Sequence, residues 1–420
     1  MWKKNKKLTE ACEKFFYHTL PEWVRNEDPD HAYWPSSPSS GNFMKDTNSD
    51  ARGDTHLWQV WHGLLSPATF RTRLTRFASE FGLESLPNLE TLAAFARPED
   101  YRLKSKVFLH HQRSIGGNDK MLYYLTERFR IPADFADLAY LTQVTQAEAM
   151  RLGVEHWRRN RPRCAGALYW QLNDCWPVTS WSSLDYYGRW KALHYAARRF
   201  FAPLALSLVH EGGQMTVYVA NDTPQTWEGA VRWSLETLAG EPIDSGGEQV
   251  CAASLLATRV RSYDLSPDLQ QRGAKNVVFN AELWQGKQRL ACQSVLFAPE
   301  KDLRLPDPAL QAEIALQDDT LQITVTSRAL ARFVQLTLEG AEMIFSDNFF
   351  DLPANRCWTV TCPLPPGWTL EQARAALRLR SLYNVRPASS SLADRLMRLR
   401  IALKPRNLLM RFYFAVVLQS

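Results

Sequence analysis

Glu80 is the residue whose type and place most suggest chemistry. It ends an apolar run, Arg76–Phe81, and is followed by Phe81-Gly82. A carboxylate at a strand end faces a site rather than solvent, and Gly82 lets the chain turn or approach a ligand closely. A retaining glycosidase needs such a carboxylate as nucleophile, about 5–5.5 Å from a second, protonated one. An N-cap or a loop salt bridge accounts for the same residues. Three other short clusters mix rings with polar tips: His31–Pro35, Asp54–His62 and Tyr169–Asp174. Rings stack on the C–H faces of sugars, and amides and carboxylates bind hydroxyls. Trp34, Trp170, Asn173 and Asp174 are therefore candidate sugar contacts. Core packing is the alternative for the aromatics, above all Trp176 and Trp181. His56 and His62, six apart on one expected strand, would share a face. No third ligand with suitable spacing stands out, so sugar binding or support of Glu80 fits His56 and Trp58 better than a metal. No metal and no cofactor is expected. Ten of the fifteen tryptophans and eight of the nine histidines precede residue 200, so the chemistry belongs to the first half.

The elements that must position these residues follow from periodicity. Residues 8–24 have helical spacing that stops at Pro21. His31–Trp34, Leu57–Trp61, Arg76–Phe81 and Cys164–Leu172 read as buried strands. Residues 120–129, 134–159 and 191–201 read as helices. Strand, polar loop and helix alternate, the rhythm of parallel βα units. The polar-aromatic residues sit near the strands' C-terminal ends, where a TIM barrel carries its site, but four strands are half of the eight a barrel needs. His110–Arg113 reads as basic surface or a loop over the site, and Arg158–Arg163 as a solvated helix end. From about residue 203 short alternating strands take over. Ala205–Val209 and Met215–Ala220 flank Gly212-Gly213, a hairpin signal. Val231–Thr237, Arg259–Tyr263, Val277–Leu283 and Arg289–Phe297 follow. A second block holds Ala312–Leu316, Leu321–Thr326, Val334–Leu338, Trp358–Cys362 and Ala376–Leu382. Each block has the length and texture of a β-sandwich. The tail from Pro387 is Ser-rich, then Leu/Arg-rich, and reads as a loose amphipathic segment or as sequence foreign to the fold.

The chain has 420 residues, 45% apolar and 22% charged, with a net charge of +6. That suits two or three globular domains. Only Lys3–Lys7 and the tail are basic enough to suggest nucleic acid, and no nucleic-acid partner is expected. No run reaches the roughly 18 apolar residues of a span, so no membrane is expected. Seven irregularly spaced cysteines do not read as a disulfide framework, which points to a cytoplasmic location. The basic start has no apolar segment behind it, so it is no signal peptide and reads as an internal start.

Taken in order, the motifs resemble the C-terminal portion of a β-mannosidase of glycoside hydrolase family 2. The matching stretches are Tyr33–Pro38, Gly53–Gly63, Ser79–Pro87 and Gly166–Asp174, with Trp181–Asp185, the Lys191–Phe201 helix and Ser346–Phe350. The resemblance covers roughly residues 8–385. It implies the C-terminal half of a (β/α)8 barrel over residues 1–202, Ig-like β-sandwiches over 203–300 and 301–386, and a tail over 387–420. It also implies a retaining exo-β-mannosidase that removes terminal β-D-mannose from oligosaccharides through a glycosyl-Glu80 intermediate. Trp170 matches the tryptophan that lines the substrate subsite, and His56 and Trp58 match the strand that borders it. The family's acid/base is the Glu of an Asn-Glu pair ending an earlier strand. Here Asn26-Glu27 follows a helix instead, so the chain is expected to be inactive alone and to have the missing N-terminal half as a partner. Other family 2 specificities (β-glucosaminidase, β-galactosidase, β-glucuronidase) and a non-catalytic or complementing fragment are the alternatives.

Overall fold

The computed structural model describes residues 5–414. Lys3 and Lys4 of the basic start, and residues 415–418 of the apolar end, lie outside the described residues.

The first helix runs longer than its spacing predicts. Asn5 caps it, accepting from the Leu8 N–H at 3.2 Å. The helix then passes through Lys6–Lys14, a π-helical turn at Phe15–Thr19, and Leu20–Glu27. Pro21 does not stop it; it stands just after the π-helical turn, and the helix continues to Glu27.

The strands of the first part are shorter than expected. β1 (Thr55–His56) and β2 (Ala78–Glu80) pair in parallel. Residues 165–170 run parallel along the other edge of β2. There Ala78 N–H donates to Gly166 O at 3.0 Å, Leu168 N–H to Ala78 O at 2.8 Å, and Trp170 N–H to Phe81 O at 2.9 Å. β2 is therefore the middle of three parallel segments. His31–Trp34, read as a fourth, is extended but pairs with no strand. Side-chain bonds to Asp54 hold this stretch in place of a ladder. Leu57–Trp61 is also no strand. The chain leaves β1 at His56 and enters a short helix, Gln59–Gly63, that ends at left-handed Leu64. His56 and His62 thus sit on different elements.

The helices Gly117–Arg128, Phe135–Arg159 and Ala192–Phe200 cover these segments. Trp61, Phe70, Phe81 and Trp157 are fully buried between them, with Phe81 and Trp157 edge to face at 4.7 Å. Gln146 on the long helix satisfies carbonyls that the loops leave open. Its Nε2 donates to Leu83 O at 2.7 Å and Trp181 O at 2.9 Å. Arg158 and Arg159 correct the expected solvated helix end. They are buried and hold the next part of the chain: Arg158 donates to Ala202 O at 2.7 Å and pairs with Asp222 at 3.0 Å, and Arg159 bonds Ser207.

The first sandwich packs a sheet of β3 (Leu204–Glu211), β4 (Gln214–Asn221) and β7 (Leu256–Asp264) on one of β6 (Pro242–Ala252), β5 (Trp227–Thr237), β8 (Val277–Gln285) and β9 (Gln288–Leu296). The β3–β4 hairpin turns at Gly212 and Gly213, both at positive φ. β6 escaped the pattern because it is an edge strand. It opens on Pro242, carries Gly246 against Trp233, and is mostly exposed. The second sandwich packs β10 (Gln311–Gln317), β11 (Thr320–Thr326) and β14 (Cys357–Pro363) on β13 (Phe350–Leu352), β12 (Ala331–Leu338) and β15 (Leu377–Arg380). Each sandwich has its own apolar core.

The tail is structured. Ser391–Ala402 and Pro405–Phe412 are helices, and Ile401 is buried in the first core.

A buried ion network ties the parts together. Glu300, between the sandwiches, pairs with Arg128 of the Gly117–Arg128 helix and with Arg332 of β12 at 3.2 Å. Arg128 also pairs with Glu148 at 2.8 Å. Burial alone would raise the Glu300 carboxyl, but Arg128 and Arg332 outweigh it and hold it below its ordinary value of 4.5. A depressed carboxyl stabilises the fold above its unfolded pKa, and that contribution is lost as pH falls through the folded one. Glu300→Gln takes one carboxylate from two buried guanidiniums, which keep Glu148 and Asp351, and should cost about 1–3 kcal/mol at neutral pH, read from urea unfolding. Its deficit should shrink on acidification below the ordinary glutamate range. An unchanged midpoint would contradict this.

Candidate active site

Asp54 organises the site. Its Oδ1 accepts from Trp34 Nε1 at 3.1 Å and from the Ser39 N–H at 2.9 Å. Its Oδ2 accepts from Ser37 and Ser79 Oγ, each at 2.5 Å. Burial would raise this carboxyl, yet the donors Ser37, Ser79, Ser39 and Trp34 together bring it below its ordinary value. One carboxylate therefore pins the 34–39 loop to the start of β1 and the middle of β2. Gly41 and Gly53 leave room for the Trp34 ring, since a Cβ at Gly53 would lie 2.8 Å from it.

Glu80 ends β2 with its side chain 28% exposed. Trp58 Nε1 donates to its Oε2 at 2.9 Å, and His56 Nδ1 lies 3.2 Å from the same oxygen. His56 Nε2 is 2.8 Å from Ser37 Oγ. A carboxylate only accepts, so the imidazole proton that faces Glu80 is on Nδ1, while Ser37 Oγ has one proton to share between Asp54 Oδ2 and His56 Nε2. Burial lowers the His56 pKa, while Glu80 and Asp54 partly offset the shift. His56 is thus a neutral donor at neutral pH. Both donors converge on Oε2, which aims the carboxylate and leaves the lone pairs of Oε1 for a ligand.

Gly82 is required by close approach. A Cβ there would lie 2.3 Å from Trp170 O and 3.0 Å from the Trp181 ring. The Glu80 strand end therefore runs directly beneath Trp170, whose own ring is exposed. Trp181 packs edge to face on Trp58 at 5.9 Å and on Trp61 at 6.1 Å, fixing the Trp58 indole from behind.

The other expected contacts divide. Trp34 is exposed and faces outward beside Asp54. Asn173 is exposed, and its carbonyl accepts from Gln171 Nε2 at 2.7 Å. Asp174 is buried instead of open to a ligand. Its Oδ2 accepts from Ser180 at 2.8 Å and Ser182 at 2.6 Å, and its Oδ1 from Gln171 at 3.0 Å. It holds the 171–182 loop. Ser37, in the same loop as Trp34, turns inward to Asp54 and His56. His62 faces away from Glu80, with Lys120 Nζ 3.4 Å from its Nδ1. Burial and the cations Lys120 and Arg406 push it down to about 4. Among the described residues no group of three or more His, Cys, Asp or Glu could hold a metal.

Sequence reasoning missed a buried charge cluster below the site. Glu84, four residues past Glu80, is buried at 3% exposure. Burial pushes it well up, against the pull of Lys120 and Lys191. Both lysines are themselves lowered to about 8 by burial. Its one sequence signal is a glutamate directly inside an apolar run, Gly82-Leu83-Glu84-Ser85-Leu86.

Comparison with known proteins agrees with this architecture. A mannosidase Ig/CBM-like domain model matches residues 213–302, and an Ig-fold domain model matches 305–385. β-Mannosidase B of Emericella nidulans is 39% identical over 209 residues, 48% of this chain and 25% of that protein. The Aspergillus terreus β-mannosidase B is 40% identical over 197 residues, 46% of this chain and 23% of that one. The solved β-D-mannosidase of Dictyoglomus thermophilum superposes with a TM-score of 0.81 at 29% identity, over 88% of this chain and 45% of its own. An exo-chitosanase of Amycolatopsis orientalis shares the fold at a TM-score of 0.61 and 17% identity, over 77% of this chain and 45% of its own. The chain thus spans about a quarter of the length of the curated relatives it matches. The resemblance to the C-terminal portion of a family 2 β-mannosidase holds in sequence and in fold.

The site makes a direct prediction. In an NMR titration, His56 should titrate below its ordinary 6.5. Glu80→Gln removes the charge that raises it, so its pKa should fall further. A rise, or no change, would contradict the pairing.

Proposed function

We propose that this C-terminal portion of a family 2 β-mannosidase carries the nucleophile side of a retaining exo-β-mannosidase site. The observation that supports it is the aimed carboxylate: Glu80 Oε2 is fixed by Trp58 and His56, and Oε1 takes neither of these bonds. The three parallel segments with their helices are then part of a (β/α)8 barrel, with Glu80 at its C-terminal mouth. Glu80 Oε1 attacks the anomeric carbon of a terminal β-mannosyl unit as the bond to the leaving oxygen breaks. The leaving oxygen takes a proton from a general acid, and water later cleaves the glycosyl ester, giving its proton to the same group. Trp170 stacks on the sugar, and Trp34 and Asn173 border it.

Among the described residues, neither Asp54 nor Glu27 suits the acid's role. Asp54 is held ionised by four donors, the wrong state for protonating a leaving group. Glu27 of the Asn26-Glu27 pair is exposed at a helix end. We propose that the acid comes from a further segment, as the N-terminal half of a complete enzyme would supply, and that this chain does not turn over alone.

Two measurements test the reading. The 420-residue chain should show no steady hydrolysis of an unactivated β-mannoside. Adding a segment that bears an acid at the barrel mouth should raise the rate by about 10²–10⁴-fold. A panel of β-mannosides, β-glucosaminides, β-galactosides and β-glucuronides on the assembled enzyme should rank mannosides first. Steady turnover by the chain alone would overturn the complementation, and preference for another sugar would overturn the specificity.

A further inference from the structure

The helix Ser391–Ala402 has two apolar faces, and the fold uses one. Asp394, Met397 and Ile401 turn inward to the Gly117–Arg128 helix, with Ile401 3% exposed in the first core. Arg398 pairs with Glu127 at 3.6 Å and lies over the Tyr123 ring at 4.7 Å, and Lys404 pairs with Asp119 at 2.5 Å. The opposite face carries Leu392, Leu396, Leu399 and Leu403, each 47–67% exposed. At about 100° per residue these four fall within about 60° of one another, a single stripe. Arg395 and Arg400 flank it, one on each side, and both are exposed. The next helix, Pro405–Phe412, continues the pattern, with Leu408, Leu409 and Phe412 exposed beside Arg411. Among the described residues no carboxylate pairs with Arg395, Arg400 or Arg411, whereas Arg398 and Lys404 pair with Glu127 and Asp119 of the Gly117–Arg128 helix.

We propose that this helix pair docks on an anionic lipid surface, with the leucine stripe in the acyl boundary and Arg395, Arg400 and Arg411 on the headgroup phosphates. An apolar stripe edged by cations is what lies in a membrane interface. The charges argue against a second copy of the chain. Paired face to face, two stripes would bring arginine flanks against arginine flanks with no acid to match. Four leucines also span under two heptads, where a coiled coil needs at least about three. No helix among the described residues is long and apolar enough to cross a membrane, so the contact is peripheral. It involves none of the residues around Glu80 and stands or falls separately from the proposed activity.

The test is flotation of the full chain with phosphatidylcholine vesicles, with and without phosphatidylglycerol. The chain should float only with the anionic vesicles, and added salt should release it. Arg395→Gln with Arg400→Gln should weaken binding by about 25-fold, at about fivefold per cation near the surface. Leu396→Ser with Leu399→Ser should abolish it. All four side chains are exposed, and circular dichroism checks that each variant is folded. A folded chain that ignores anionic vesicles overturns the proposal, as does equal flotation of the leucine variant. Stripe-dependent dimers without lipid, or stripe-dependent binding of an acid-bearing barrel segment, would overturn it too.

Discussion

The site depends on one carboxylate that does no chemistry of its own. Asp54 takes bonds from Trp34, Ser37, Ser39 and Ser79, which belong to two separate stretches of chain. An ionised group buried to 9% exposure is tolerable only when it is this well donated to. The same bonds place Ser37 against His56, and His56 against Glu80. Without the Asp54 side chain the 34–39 loop keeps only the Ser37–His56 bond and a backbone bond at Ser39 as ties to the start of β1, because it joins no strand. Loop position, imidazole orientation and carboxylate aim are thus one linked arrangement.

Around it the fold solves a different problem. Three short parallel segments leave many carbonyls open, and buried side-chain amides and guanidiniums close them. Gln146 does so under the site, and Arg158 does so where the chain passes to the first sandwich. The Arg128–Glu300–Arg332 network fixes the helices against the second sandwich, as Arg158 and Arg159 do against the first, so the sandwiches brace the layer that carries Glu80.

Much of this was legible in sequence. The place of Glu80 at a strand end was legible because Arg76–Phe81 is an apolar run closed by glycine. The β3–β4 hairpin was legible because Gly212-Gly213 sits between clean alternation. The parts that escaped are those where side chains replaced ladders. His31–Trp34 looks like a strand, yet its polar groups go to Asp54. Leu57–Trp61 looks like a strand, yet its apolar residues are buried on all sides of a short helix, which periodicity over five residues cannot separate. Asp174 looked like a sugar ligand and is a loop anchor, since nothing local reveals that Ser180 and Ser182 fold back onto it. The tail was unreadable because its two apolar faces give no single moment, and only the structure shows which one is covered.

The central claim is that Glu80 is the nucleophile. The measurement is intact-mass and peptide mass spectrometry of the chain, assembled with an acid-bearing segment, after incubation with 2-deoxy-2-fluoro-β-mannosyl fluoride. That reagent needs the nucleophile and little acid help. The account predicts one fluoromannosyl adduct, on the peptide that contains Glu80, and none in Glu80→Gln. An adduct on Asp54 or another carboxylate, or none in a preparation that hydrolyses aryl β-mannosides, would contradict it.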